Sequence, residues 1–145
     1  MMAFETYRGF VYPASLDHIG HMNVQFYTGR FDEATWHLFA RLGITQTYLK
    51  ANKRGMAALD QHTQYKREVL VGSVLHITSE LLEIKRKTVR FMHTMINSET
   101  GEVVATTELV AAFLDAEARR ATEFPPEILD AALPLLRTEA PASSA

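Results

Sequence analysis

The sequence predicts an α+β domain in which one long helix packs on one face of a curled antiparallel sheet of about five strands. Three observations carry this. A single stretch has a sustained helical period, with Tyr27, Phe31, Ala34, Leu38 and Leu42 recurring every three or four residues. Residues 73–84, 88–96 and 102–114 read as strands joined by tight turns, which makes them antiparallel neighbours. The order of elements is strand, long helix, four strands, short helix.

The first strand covers residues 4–12, with Gly9 read as a bulge. Pro13 ends it, and residues 14–22 form a loop. Asn23 is a good N-cap and Gly43 a good C′ residue, which places the helix at about 24–42. Residues 45–55 are polar and basic and read as a connection with one helical turn. A second strand follows at 56–65, then a polar link over 66–72. In the third strand Leu75, Ile77 and Leu81 share a face opposite His76, Thr78 and Glu80. In the fourth, Val89, Phe91, His93 and Met95 oppose Arg90, Met92, Thr94 and Ile96. Residues 97–101 make a hairpin turn. The fifth strand is apolar on both faces near its end, as a strand buried on both sides would be. A short helix starts at Pro126 and is limited to about two turns by Pro134. Residues 1–138 read as one domain, and 139–145 as a disordered tail of small residues.

Composition narrows the function classes. Of 145 residues, 47% are hydrophobic and 22% charged, the balance of an ordinary globular protein. The formal charge of −2 creates no general attraction for nucleic acid or anionic membranes. There is no cysteine, hence no disulfide framework, thiol nucleophile or thiolate metal site. No secretory signal is visible, and no apolar run reaches the roughly 18 residues of a membrane span. A cytoplasmic location is the expectation.

The stretch that carries chemistry is residues 16–23, where Asp17 precedes Gly20 and Asn23 leads into the long helix. By pattern alone Asp17 reads as a turn aspartate that binds its own backbone. The first helical N–H groups, those of Val24 and Gln25, lack internal partners and carry the positive end of the dipole. They could receive an anion or a polarised carbonyl, or simply be capped by Asn23.

The run Asp17-His18-Ile19-Gly20-His21-Met22-Asn23 resembles the active loop of the hotdog-fold acyl-CoA thioesterases, in particular the group typified by 4-hydroxybenzoyl-CoA thioesterase. That loop is an aspartate, two variable residues, glycine, often histidine, an aliphatic residue and asparagine. Tyr27 matches the aromatic residue of the first helical turn, Phe31-Asp32-Glu33-Ala34 the acidic patch after it, and Leu42-Gly43 the helix end. Residues 65–72 resemble the entry to the third strand, and Pro125-Pro126 the proline after the last. Two departures leave substrate choice open: Ser15 stands where many relatives carry a second acid, and Val24 where an asparagine pair is common. The dehydratase branch of the fold carries a phenylalanine-proline-glycine-histidine segment that is missing here, which argues against dehydration.

The resemblance implies hydrolysis of an acyl-CoA to a free acid and coenzyme A, without metal or redox cofactor. Asp17 would be the nucleophile or general base, Val24 and Gln25 the oxyanion hole behind the Asn23 cap, and His21 a group orienting Asp17 or its water. Tyr27 would meet substrate. Lys85, Arg86, Lys87 and Arg90 have two readings, a solvated turn or a site for coenzyme A phosphates. Arg119 and Arg120 are a second such patch. Trp36, Phe31 and Phe39 read as core. The family joins protomers edge to edge, so a homodimer or homotetramer is expected. The alternative is a catalytically idle hotdog domain that binds acyl-CoA or serves as an assembly module.

Overall fold

The computed structural model describes residues 3–137; the expected tail lies outside them. Five strands, β1 (Phe4–Phe10), β2 (Arg54–Tyr65), β3 (Val74–Ile84), β4 (Thr88–Asn97) and β5 (Val103–Asp115), form one sheet in the order β1-β3-β4-β5-β2. Every pairing is antiparallel, and a two-residue β6 (Arg120–Ala121) pairs with β5. Neither edge of this order is a hairpin partner. β2 reaches its edge position through the long connection over 66–73, and the turn at Asn97, whose side chain accepts from Glu99 and Thr100 N–H, closes the β4–β5 hairpin.

Helix α1 (Val24–Arg41) lies across the sheet, with Tyr27, Phe31, Ala34, Leu38 and Leu42 all buried as their spacing predicts. It ends in a Schellman arrangement. Gly43 takes φ +84°, its N–H bonds Ala40 O at 3.0 Å, and Ile44 N–H bonds Phe39 O at 2.9 Å. The basic connection contains a seven-residue helix, α2 (Gln46–Asn52), capped by Thr45 Oγ1 on Tyr48 N–H. The last helix, α3 (Pro126–Ala132), starts and stops at its prolines as expected.

Three expectations about β1 and β2 change. β1 ends at Phe10, two residues early. Its bulge falls at Thr6, where the register with β3 slips, while Gly9 pairs normally with Leu75. The Tyr7 ring folds back over Gly9, and a side chain at that position would have to displace it. β2 begins two residues before its expected start, and its own register slip leaves Leu59 unpaired and 61% exposed on the open edge.

The core between α1 and the sheet is split. One cluster gathers Leu38, Phe39, Leu81, Phe91, Leu109 and Phe113; the other gathers Tyr27, Phe31, Leu75, Ile77, Met95 and Ala105. The line between them is polar. Ser79 of β3 faces His93 of β4, His93 faces Thr107 of β5, and Thr107 faces Thr63 of β2.

Candidate active site

The loop before α1 is pinned from both sides. Leu16 and Met22 form a β-bridge, Asp17 N–H donates to His21 O at 2.7 Å, and Gly20 turns the chain at φ +86°. Met22 N–H reaches Val69 O and Asn23 N–H reaches Ser15 O, so the loop is fixed against the link that follows β2. In this frame Asp17 Oδ1 accepts from Ile19 N–H at 2.9 Å and from His21 N–H at 3.2 Å. The turn-capping reading of Asp17 is therefore geometrically right. It uses only one of the two oxygens; among the described residues no hydrogen bond or ion pair falls on Oδ2. Partial burial pushes the carboxyl pKa up, but the two N–H bonds, with the nearby His18 and His21, outweigh it and hold Asp17 below the usual carboxylate range. At neutral pH it is an oriented anion.

Asp17 opens into a cleft shared with His21, Met22, Val24, Tyr27 and the segment Tyr65, Lys66, Arg67 and Glu68. The N-terminus of α1 forms one wall. Asn23 Oδ1 accepts from Gln25 N–H at 3.0 Å, which takes Gln25 out of the expected donor pair. Val24 N–H has no partner among the described residues, and Val24 lines the same cleft. Tyr27 is 5% exposed, donates to Arg67 O at 3.3 Å and meets the Tyr65 ring edge-on at 5.0 Å. The His21 ring reaches Glu68, 3.3 Å from Nε2, and the hydrogen bond that His21 gives Asp17 comes from its backbone N–H. His18 is exposed. Among the described residues no three His, Cys, Asp or Glu side chains gather as a metal site.

A second cavity opens along the same side of α1, between the helix and β2. Phe31, Thr35, Trp36 and Phe39 face Met56, Ala57 and Gln61 across it, with Phe91 and Ala111 at its back. Phe31 and Phe39 are core residues, as expected, and also line this cavity. Val24, Thr28 and Asp32 follow one another at helical spacing from the cleft into it.

The basic cluster is elsewhere. Thr88 pairs with Ala112 at one end of β4, and Met95 pairs with Ala105 near the Asp17 cleft at the other. The seven steps between them separate the two ends by roughly 23 Å, at about 3.3 Å per residue. Arg86 is bound to Glu123 at 2.7 Å, and Arg90 to Glu108 and Glu83. Arg119 and Arg120 lie at the same far end, in and beside β6. The cations that do line the cleft are Lys66 and Arg67, in a stretch that reads from sequence as a polar link. Their position follows from Lys66 and Arg67 N–H both bonding Val104 O, a long-range contact without a local signal.

A hotdog-type sheet wrapped on one helix, with an acid-bearing loop at the helix N-terminus, defines the class. Residues 11–132 match the model of the thioesterase-like superfamily, and the chain belongs to that superfamily. It is 27% identical over 124 residues to the betainyl-CoA thioesterase of Pseudomonas aeruginosa, covering 86% of this chain and 78% of that protein. It is 26% identical over 116 residues to the L-carnitine dehydrogenase/betainyl-CoA thioesterase of Rhizobium meliloti, covering 80% of this chain but spanning only 23% of that longer protein. A Staphylococcus aureus protein solved in complex with CoA has the same fold, with a TM-score of 0.87 over 99% of this chain and 92% of that one, at 18% identity. The expected fold and family are both borne out.

Proposed function

We propose that the protein hydrolyses an acyl-CoA thioester to the free acid and coenzyme A. The observation that carries this is the ionised Asp17, with one oxygen held by Ile19 and His21 and the other without a partner among the described residues, in a cleft that Val24 at the start of α1 also lines. The thioester oxygen is taken to bind Val24 N–H at the positive end of α1, which brings the carbonyl carbon into the cleft that Asp17 lines. Asp17 either attacks that carbon, breaking the C–S bond and forming a mixed anhydride that water then cleaves, or takes a proton from a water that attacks directly. In both routes the coenzyme A thiolate leaves and is protonated, and water supplies the second oxygen of the acid. No metal or redox cofactor enters the scheme.

The acyl group runs down α1 into the cavity beside Phe31, Thr35 and Trp36, and Lys66 and Arg67 are the first cations the coenzyme A phosphates meet. We also infer a homodimer formed through β2, because this edge strand is open, is exposed along most of its length and presents Leu59 outward. The test is release of free thiol from a panel of acetyl-, octanoyl-, benzoyl- and betainyl-CoA, the last chosen for the named relatives. Turnover of at least one, lost in Asp17→Asn, supports the reading. Binding without turnover of any member leaves an idle acyl-CoA domain and sinks it.

A further inference from the structure

The polar line that divides the core is a connected chain. Thr35 Oγ1 lies 3.0 Å from Phe31 O, to which it can only donate. Its second contact, 2.8 Å from His93 Nε2, is then one it accepts, which puts the ring proton on Nε2. Nδ1 is left as an acceptor, and Ser79 Oγ–H donates to it over 2.6 Å. Ser79 in turn accepts from Thr6 Oγ1, 2.7 Å away, across the β1 bulge that turns Thr6 inward. Run in the opposite direction, the chain would end on Ile77 O at 3.4 Å, a much poorer bond than the one to Phe31. His93 and Ser79 are fully buried, and Thr6 and Thr35 nearly so.

Stability alone gives little reason for this arrangement. Burying an imidazole and three hydroxyls gains nothing over an apolar row of the same volume, which would also fuse the two clusters into one. What the row does have is a position. His93 bonds Thr35, lies parallel to the Phe31 ring at 6.0 Å and meets the Phe91 ring at 5.3 Å. Those three side chains line the cavity between α1 and β2. At the β2 end of the row, Gln61 also lines the cavity and donates to Thr107.

We propose that His93 is a positioning residue of the acyl pocket: held between Ser79 and Thr35, it fixes Thr35, Phe31 and Phe91 from behind and so determines which acyl groups the enzyme accepts. This rests on the acyl group lying in that cavity. His93 touches no reacting atom, so its effect is on selectivity and not on the chemical step.

The experiment compares kcat and KM for straight-chain acyl-CoAs from acetyl to decanoyl, and for benzoyl-CoA, in the native protein and in His93→Gln, His93→Asn and His93→Leu. A glutamine amide can replace Nε2 toward Thr35, and an asparagine amide can replace Nδ1 toward Ser79. If the positioning runs through Thr35, His93→Gln keeps the native selectivity profile within about twofold. His93→Asn and His93→Leu shift long-chain or aromatic kcat/KM relative to the shortest accepted substrate by about fivefold or more, the size of one lost hydrogen bond. Urea unfolding of each variant shows that the Gln and Asn proteins are compared at similar stability. The Gln–Asn pair carries the test if His93→Leu does not fold. Profiles that superimpose in all variants, or that scale together by one factor, overturn the proposal. Asp17→Asn is assayed alongside. If it stays active, the reading of the site itself fails, and if native protein cleaves no thioester, the pocket assignment falls with it. If Asp17→Asn is inactive while the profiles superimpose, only the role of His93 is lost.

Discussion

Two aspartates in this chain sit in loops of the same local design. Asp17 Oδ1 accepts from the N–H groups of Ile19 and His21, and Asp115 Oδ1 accepts from those of Glu117 and Ala118. Both carboxyls are held below the ordinary range, Asp115 chiefly by the Ala118 N–H. The difference is in the second oxygen. Asp115 Oδ2 pairs with Arg54 at 3.5 Å and closes the junction of β5 with the start of β2. Among the described residues Asp17 Oδ2 has no such cation, and Asp17 lines a cleft walled by the N-terminus of a long helix. An oriented, ionised carboxylate is thus something the turn makes on its own. Chemistry depends on what the fold puts opposite it.

The largest effect should separate the two. Asp17→Asn keeps the turn bonds through its amide oxygen and removes the charge, and turnover should fall by about a hundredfold or more. Asp115→Asn should leave kcat/KM within about twofold and lower the stability in urea unfolding only slightly, since its ion pair is partly exposed. Equal losses of turnover in both variants would mean that the shared turn, and not the cleft, is what matters.

His93 lies on the row between the two ends and sharpens the comparison through pH. Burial holds its folded pKa down at about 3 against 6.5 when free. Unfolded chain therefore binds more protons as pH falls below about 6.5, and stability should drop by about 1.4 kcal/mol per unit down to the folded value. Above that window the contribution is fully kept. Asp17, with its lowered pKa, stays ionised over most of the same range. Activity lost between pH 6 and 4 should therefore track unfolding, and in His93→Gln the slope of stability against pH should flatten. A native protein with pH-independent stability there would contradict the buried neutral ring.

Most of this fold is legible in the sequence. The helix stripe from Tyr27 to Leu42, its Asn23 cap and Gly43 stop, and the alternation in β3 and β4 are local signals, and each held to within a residue or two. Long-range facts were not legible. Nothing near Thr6 announces a bulge, because the slip serves Ser79 on another strand. His93 reads as one inward position among apolar neighbours, and its partners come from α1 and β3. At the site, the resemblance singled out Asp17, but the capture of Gln25 by Asn23, the turn of His21 toward Glu68 and the arrival of Lys66 and Arg67 depend on tertiary placement.

The open edge offers a discrete outcome. Leu59 sits unpaired in the middle of β2, outward and away from the cleft. Leu59→Lys should leave the fold intact and move the sedimentation mass from twice 16.4 kDa toward one chain at micromolar concentration. If the native protein is already a monomer while active, assembly through β2 is wrong.

The smallest effects concern the two sets of cations, one at each aspartate's end of the sheet. Lys66 and Arg67 share the Asp17 cleft, Arg67 paired with Glu102 at 3.3 Å; Arg86 and Arg90 lie at the Asp115 end and are paired with Glu123, Glu108 and Glu83. A cation that holds coenzyme A phosphates binds ground and transition states alike, so removing it should raise KM and leave kcat unchanged. Exposed charge contacts contribute about 0.2–1 kcal/mol each, so Lys66→Ala should raise KM by up to about fivefold. Arg86→Ala with Arg90→Ala should do less if the nucleotide stays near the Asp17 end, and as much or more if it crosses to the other. Added salt should act in the same direction as the effective variant. The control is the same acyl group on a short thiol without the nucleotide, whose kinetics should ignore both sets of changes. A short-thiol substrate that suffers as much as the full one would show that these side chains support the fold or the dimer and do not hold coenzyme A.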